Sequence, residues 1–107
     1  MGSKRRAQPR RMAAKLLQIR KSLDLSQEKM ATRLNVPRSP VYPTHISEFE
    51  RGLREPSLLV LLKYAKVAGV PMEALVNDNL SLPDHLPVMT EYEWIMRPVE
   101  SRKRKAG

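Results

Sequence analysis

Apolar side chains recur along this chain at helical rather than strand spacing. From Met12 they fall at Leu16, Ile19 and Leu23, steps of four, three and four that line one face of a helix. Asp24, which tolerates a left-handed or turn conformation, is expected to end it. Ser26 then reads as an N-cap, with Gln27 and Glu28 placing a carboxylate in the first turn. Leu25 before the cap and Met30 after it form a hydrophobic staple. Met30, Ala31 and Leu34 supply the inner face of this second helix. Pro37, Pro40 and Pro43 interrupt the pattern, but Pro43 suits a first helical position, so a third helix is expected to run to Arg51. Ile46 and Phe49 point inward from it, and Gly52 stops it. Ser57 caps a fourth helix carrying Leu58, Leu61, Leu62, Ala65 and Ala68, ended by Gly69. Pro71 opens a short fifth, Met72 to Val76.

Five helices with no strand before residue 80 predict an all-α domain over residues 12–82. Beyond Asn77 the signal weakens. Tyr92, Trp94 and Ile95 favour extended structure in Val88–Met96, while Pro83, Pro87 and Pro98 frame that stretch as a loop or an edge. Residues 83–107 are therefore read as an irregular or short-strand tail, which either contacts a second copy or a partner protein or folds back onto its own domain. In a chain of 107 residues there is room for a single core.

Charge changes the picture. The chain carries 20 Lys and Arg against 11 Asp and Glu, a net +9. The excess sits at the ends: Lys4, Arg5, Arg6, Arg10 and Arg11 in a basic arm over residues 1–11, expected to be disordered, and Arg102 to Lys105 in the tail. Such arms suit a polyanion, because each neutralised phosphate releases counterions. Each arm also reads as a solubilising segment. With no cysteine, and with His45 and His85 forty residues apart, no metal site is expected. No apolar run approaches the roughly 18 residues that cross a bilayer, and MGSKRRAQPRRM lacks the apolar region of a secretory signal. A cytoplasmic protein is expected, without membrane contact or cofactor.

Three ordered motifs are more specific. The run from Leu25 to Leu34 (LSQEKMATRL), the run from Ile46 to Ser57 (ISEFERGLREPS) and the run from Leu61 to Pro71 (LLKYAKVAGVP) together resemble the phage-repressor and Cro class of helix-turn-helix proteins, often called XRE-like. The resemblance implies a five-helix, lambda-repressor-like DNA-binding domain and a bacterial, nucleoid-associated transcription regulator, more often a repressor than an activator. It also implies double-stranded DNA as ligand and a homodimer.

Carried residue by residue, the resemblance places base contacts at Thr44, His45 and Glu48, at the start of the third helix and one turn later. Thr44 suits a hydrogen-bonding edge or a thymine methyl, His45 suits guanine, and Glu48 suits cytosine N4. Gln27 matches the class's phosphate contact. Lys29, Arg38, Ser39, Tyr42, Arg51 and Arg54 are further candidates for the DNA backbone, each equally readable as solvated surface. Arg20 and Glu50 occupy the places of a structural ion pair that positions the recognition helix.

The chain departs from the class between Val36 and Ile46, where nine residues stand in place of about four. The insertion reads either as an added backbone-contacting loop or as a neutral extension. Two functions compete. In the first the chain regulates transcription as an operator-bound dimer. In the second it is an antitoxin-type DNA-binding protein whose Tyr92, Trp94 and Ile95 grip a partner protein. An enzyme is not expected: Ser47 and His45, two apart on a helix, face different directions, and no glycine-rich phosphate loop is present. RNA binding lacks the aromatic platforms that single strands require.

Overall fold

The computed structural model of the chain describes residues 9–87. Five helices follow one another: α1 (Met12–Ser22), α2 (Gln27–Leu34), α3 (Pro43–Glu50), α4 (Leu58–Ala68) and α5 (Met72–Val76). No strand occurs among the described residues, which hold only an isolated bridge between Val36 and Ser39. The all-α, lambda-repressor-like reading therefore stands. The short strand considered for Val88–Met96 and the bases Lys4, Arg5 and Arg6 lie outside the described residues.

Local chemistry sets most of the helix ends. Ser26 and Ser57 accept hydrogen bonds from the backbone N–H groups of Lys29 and Val60, each satisfying an amide that the first turn leaves without a partner. Pro43 stands at the first turn of α3. Asp24 turns the chain at φ +59°, and Gly52 and Gly69 do so at φ +73°, a conformation that glycine takes without steric cost.

The inserted segment after α2 is a turn closed by Ser39 N–H on Val36 C=O at 3.1 Å. Pro37 fills its second place and Arg38 its third, at φ +67°. That is a type II arrangement, whose third place suits glycine; an arginine there costs about 1–2 kcal/mol.

One core joins the five helices. Leu16, Ile19, Met30, Leu34, Ile46, Tyr64 and Leu75 are fully buried in it, each apolar side chain contributing about 1.5–3 kcal/mol. Ala31 lies between α2 and the rest of the core, where its single methyl lets α3 approach. Tyr64 packs edge-on to Phe49, with ring centres 6.4 Å apart. Its hydroxyl is buried and meets no hydrogen-bond partner among the described residues, and burial above all pushes its pKa up.

The two ends of the domain fasten to each other. α1 has no local side-chain cap. The amides that lead into it, Arg10 N–H and the cap residue's Arg11 N–H, instead donate to the two carboxylate oxygens of Asp78, both at 3.0 Å. In return the Arg11 guanidinium donates to Asp78 C=O, Leu80 C=O and Ser81 Oγ. Lys15 is only 2% exposed; its Nζ donates to Ala74 C=O at 2.7 Å and Asn77 C=O at 2.8 Å, closing the end of α5. Burial, and then Arg11, lower its pKa. Arg10 and Arg11 thus belong to the fold and not to a free arm, because the start of α1 and the end of α5 satisfy each other's backbone groups.

Two outcomes test this packing. Tyr64→Phe should raise stability by about 1 kcal/mol in urea unfolding, since it removes a buried hydroxyl that has no partner; a loss of similar size would reveal a hidden one. Asp78 is held below the usual carboxylate pKa by the Arg10 amide and then the Arg11 amide. Its contribution is therefore complete above about pH 4 and lost as pH falls through the lower folded value. Asp78→Asn should have a lower melting temperature at neutral pH, and the gap to wild type should narrow toward about pH 2.

Candidate nucleic-acid interface

α3 buries one side and offers the other. Ile46 and Phe49 face the core. At 100° per residue the opposite crown of the helix carries Thr44, Glu48 and Arg51, at i, i+4 and i+7. Thr44 and Arg51 are exposed and Glu48 is half-buried. The crown stands on a helix that a major groove is wide enough to admit.

The buried side is held by a knot of polar groups from three helices. Arg20 of α1 meets Glu50 of α3 in a bidentate pair, Nε to Oε2 at 2.7 Å and Nη2 to Oε1 at 3.0 Å. The two side chains are 15% and 5% exposed. Arg20 Nη1 also donates to Leu25 C=O in the α1–α2 connection, and Gln27 of α2 donates its amide to Glu50 Oε1 at 3.3 Å. The hydrogen bond to Glu50 is the main reason the Arg20 pKa rises. Gln27, read from sequence as a phosphate contact, thus spends its amide on the knot at the start of α2.

His45 lies on the flank of α3, half-buried, and not on its crown. Its ring Nδ1 accepts from Tyr42 N–H at 3.2 Å, while the His45 backbone N–H donates to Tyr42 C=O at 2.9 Å. The ring leans against Tyr42 and Phe49, with centres 5.3 and 6.4 Å away. With Nδ1 accepting, the ring N–H that can donate is the one on Nε2. Tyr42 itself, 56% exposed, stands at the leading edge of the helix.

Glu48 pairs with Arg54 from the loop after α3, which is the leading cause of its lowered pKa. Arg51 Nε donates to Ser47 C=O and Oγ. One carboxylate and two guanidiniums therefore share this end of the crown, leaving it net positive. Lys29 is exposed on the first turn of α2.

Arg38 and Ser39 part company: Ser39 lines a recess beside His45 and Arg54, behind the crown. Ser39 is half-buried, and Arg38 lines a cleft against the solvent side of α4, so the structure does not gather either onto the crown. Sequence reading missed the capping role of His45, for which a nitrogen acceptor three residues after the cap position, followed by an apolar run, was the available signal.

A helix-turn-helix family profile matches residues 16–75. Among curated proteins, the chain is 33% identical over 67 residues to the cryptic phage CTXphi transcriptional repressor RstR of Vibrio cholerae, an alignment covering 63% of this chain and 56% of that one. The chain thus aligns with little more than half the length of this relative. No solved structure matches it.

The knot makes a clear demand on mutation. Glu50→Ala should cost about 3–5 kcal/mol in urea unfolding by leaving the Arg20 guanidinium buried without its partner. Replacing both, Arg20→Met with Glu50→Leu, should recover most of that loss; equal destabilisation of the double variant would show that the charges themselves are required.

Proposed function

This chain belongs to the phage-repressor, XRE-like branch of the helix-turn-helix family, and from that premise we propose that it is a sequence-specific double-stranded DNA-binding regulator that represses transcription by occupying an operator. The observation that carries the reading is the exposed crown of α3, Thr44–Glu48–Arg51, on a helix clamped from behind by Arg20, Glu50 and Gln27.

α3 enters the major groove with its N-terminus leading. Thr44 reads a hydrogen-bonding edge or a thymine methyl. Glu48 accepts from cytosine N4, and Arg54 beside it offsets the repulsion that a lone carboxylate would meet among phosphates. Arg51, from the same crown, reaches the DNA backbone together with Arg54. Lys29 and the N-terminal amides of α2, favoured by the helix dipole, take a second phosphate, and Gln27 orients that helix end. Tyr42 abuts the backbone at the groove edge. His45 serves first to fix the start of α3, and its Nε2–H remains the group available to guanine. The repressive role follows the relative's name. Two copies are expected on DNA, because one such helix reads only a few base pairs.

In-vitro selection of bound DNA should return a defined motif for wild type. Thr44→Ala and Glu48→Ala should each relax one position, losing about 1–3 kcal/mol there, or roughly 5- to 150-fold. Unchanged motifs in both variants would move the reading helix elsewhere. Deleting residues 1–8 removes Lys4, Arg5 and Arg6. It should make the slope of log affinity against log salt shallower by about 0.9 for each phosphate those bases neutralise. An unaltered slope would remove the arm from the complex.

A further inference from the structure

Away from the crown, the solvent side of α4 bears a second surface. The residues of α4 that face the core are Val60, Leu61, Tyr64, Ala65 and Ala68. On the opposite stripe, Leu59, Leu62, Lys63 and Lys66 meet the inserted turn across a cleft of about 480 Å³. Pro37, Leu59 and Leu62 give it an apolar floor; Arg38, Lys63 and Lys66 ring it with positive charge. Leu59 is 57% exposed, and the turn keeps Arg38 in a left-handed conformation that glycine suits better. An apolar floor within a cationic rim fits an acidic peptide that also carries large apolar side chains.

The chain contains such a peptide. Residues 91–96 read Glu-Tyr-Glu-Trp-Ile-Met, two carboxylates interleaved with two aromatic rings and followed by two more apolar side chains. In extended form the carboxylates and the rings alternate, so the rings can lie on the floor while long lysine stems bring charge up to the acids.

Geometry decides whose segment it is. Leu82 and Leu86 pack onto the core, and Gln18 of α1 donates to Pro83 C=O at 3.4 Å. The described chain therefore passes α1 at Pro83 and returns to the core at Leu86, whereas the cleft lies on the stripe of α4 turned away from the core. Seven residues from Pro87 to Trp94 reach about 24 Å when fully extended. A second copy has no such limit. We propose that the cleft on α4 receives residues 91–96 of a second copy of this chain, so that two copies exchange their acidic-aromatic segments.

Trp94 is the only tryptophan, so its fluorescence reports occupancy directly. The readout needs no DNA and stands apart from the operator reading. With full-length protein, rising concentration should shift emission to shorter wavelength in step with doubling of the mass in sedimentation. Lys63→Glu with Lys66→Glu, neither of them a core position, should weaken self-association tenfold or more with unchanged melting temperature. Glu91→Lys with Glu93→Lys should do the same. Combining all four should bring association back to within about threefold of wild type, because the attraction is restored with reversed sign. A monomer at every concentration would overturn the proposal. So would a short-wavelength emission independent of concentration, which places the segment on its own domain. A dimer whose Trp94 emission stays that of exposed indole, or whose charge reversals do not compensate, would overturn it as well.

Discussion

The carboxylate of Glu50 is the point from which the DNA-facing geometry of this domain hangs. It lies on α3, almost without solvent, and receives donors from α1 and α2 at once. A charge in that position has no tolerable alternative to being paired, since an unpaired buried carboxylate costs far more than any single packing contact returns. Its demand for partners therefore fixes the angle between the three helices more narrowly than the leucines around it do. The apolar contacts of Ile46, Phe49, Met30 and Leu34 set that α3 is covered on one side; the ion pair sets how it is turned. The crown residues point where they do because Glu50, on the other side of the same helix, cannot move.

A second polar arrangement governs the other end of the molecule and follows the same logic. α1 starts with a lone arginine cap and no acid in its first turn, and α5 is too short to stand alone. Each lacks what the other holds: Asp78 supplies oxygens for the amides that lead into α1, while Arg11 and Lys15 supply donors for the carbonyls that end α5 and begin the following loop. The exchange turns two weak helix ends into one closed seam.

Much of this was legible in the sequence, for a definable reason. Helix signals in this chain are local: Ser26, Ser57, Pro43, Gly52 and Gly69 act on neighbours within four residues, and the apolar spacing repeats within a turn. The Arg20–Glu50 contact spans thirty residues, and it was reached through family resemblance because nothing near either residue marks it. Asp78, Arg11 and Lys15 act across about sixty to seventy residues with no local pattern, so charge counting assigned the two arginines to a polyanion-binding arm. The capping role of His45 was missed for a different reason. A histidine early in a recognition helix carries the chemistry both of a base contact and of a cap, and only the direction of its ring, toward Tyr42 N–H, separates the two. Likewise the three prolines showed that the α2–α3 connection was not helical, but not that Arg38 would be carried round against α4.

The seam between α1 and α5 also orders events during synthesis. Chains grow from the N-terminus, and local helices form in less time than the addition of one residue takes. α1, α2 and α3 can therefore take shape, and Arg20 can find Glu50, once the first fifty or so residues have emerged. The amides that lead into α1 stay with water at that stage, because the carboxylate that receives them belongs to residue 78. Lys15 must keep its ammonium hydrated until the carbonyls of Ala74 and Asn77 exist to replace the water. On the ribosome, the oldest helix of this domain is the last to be finished.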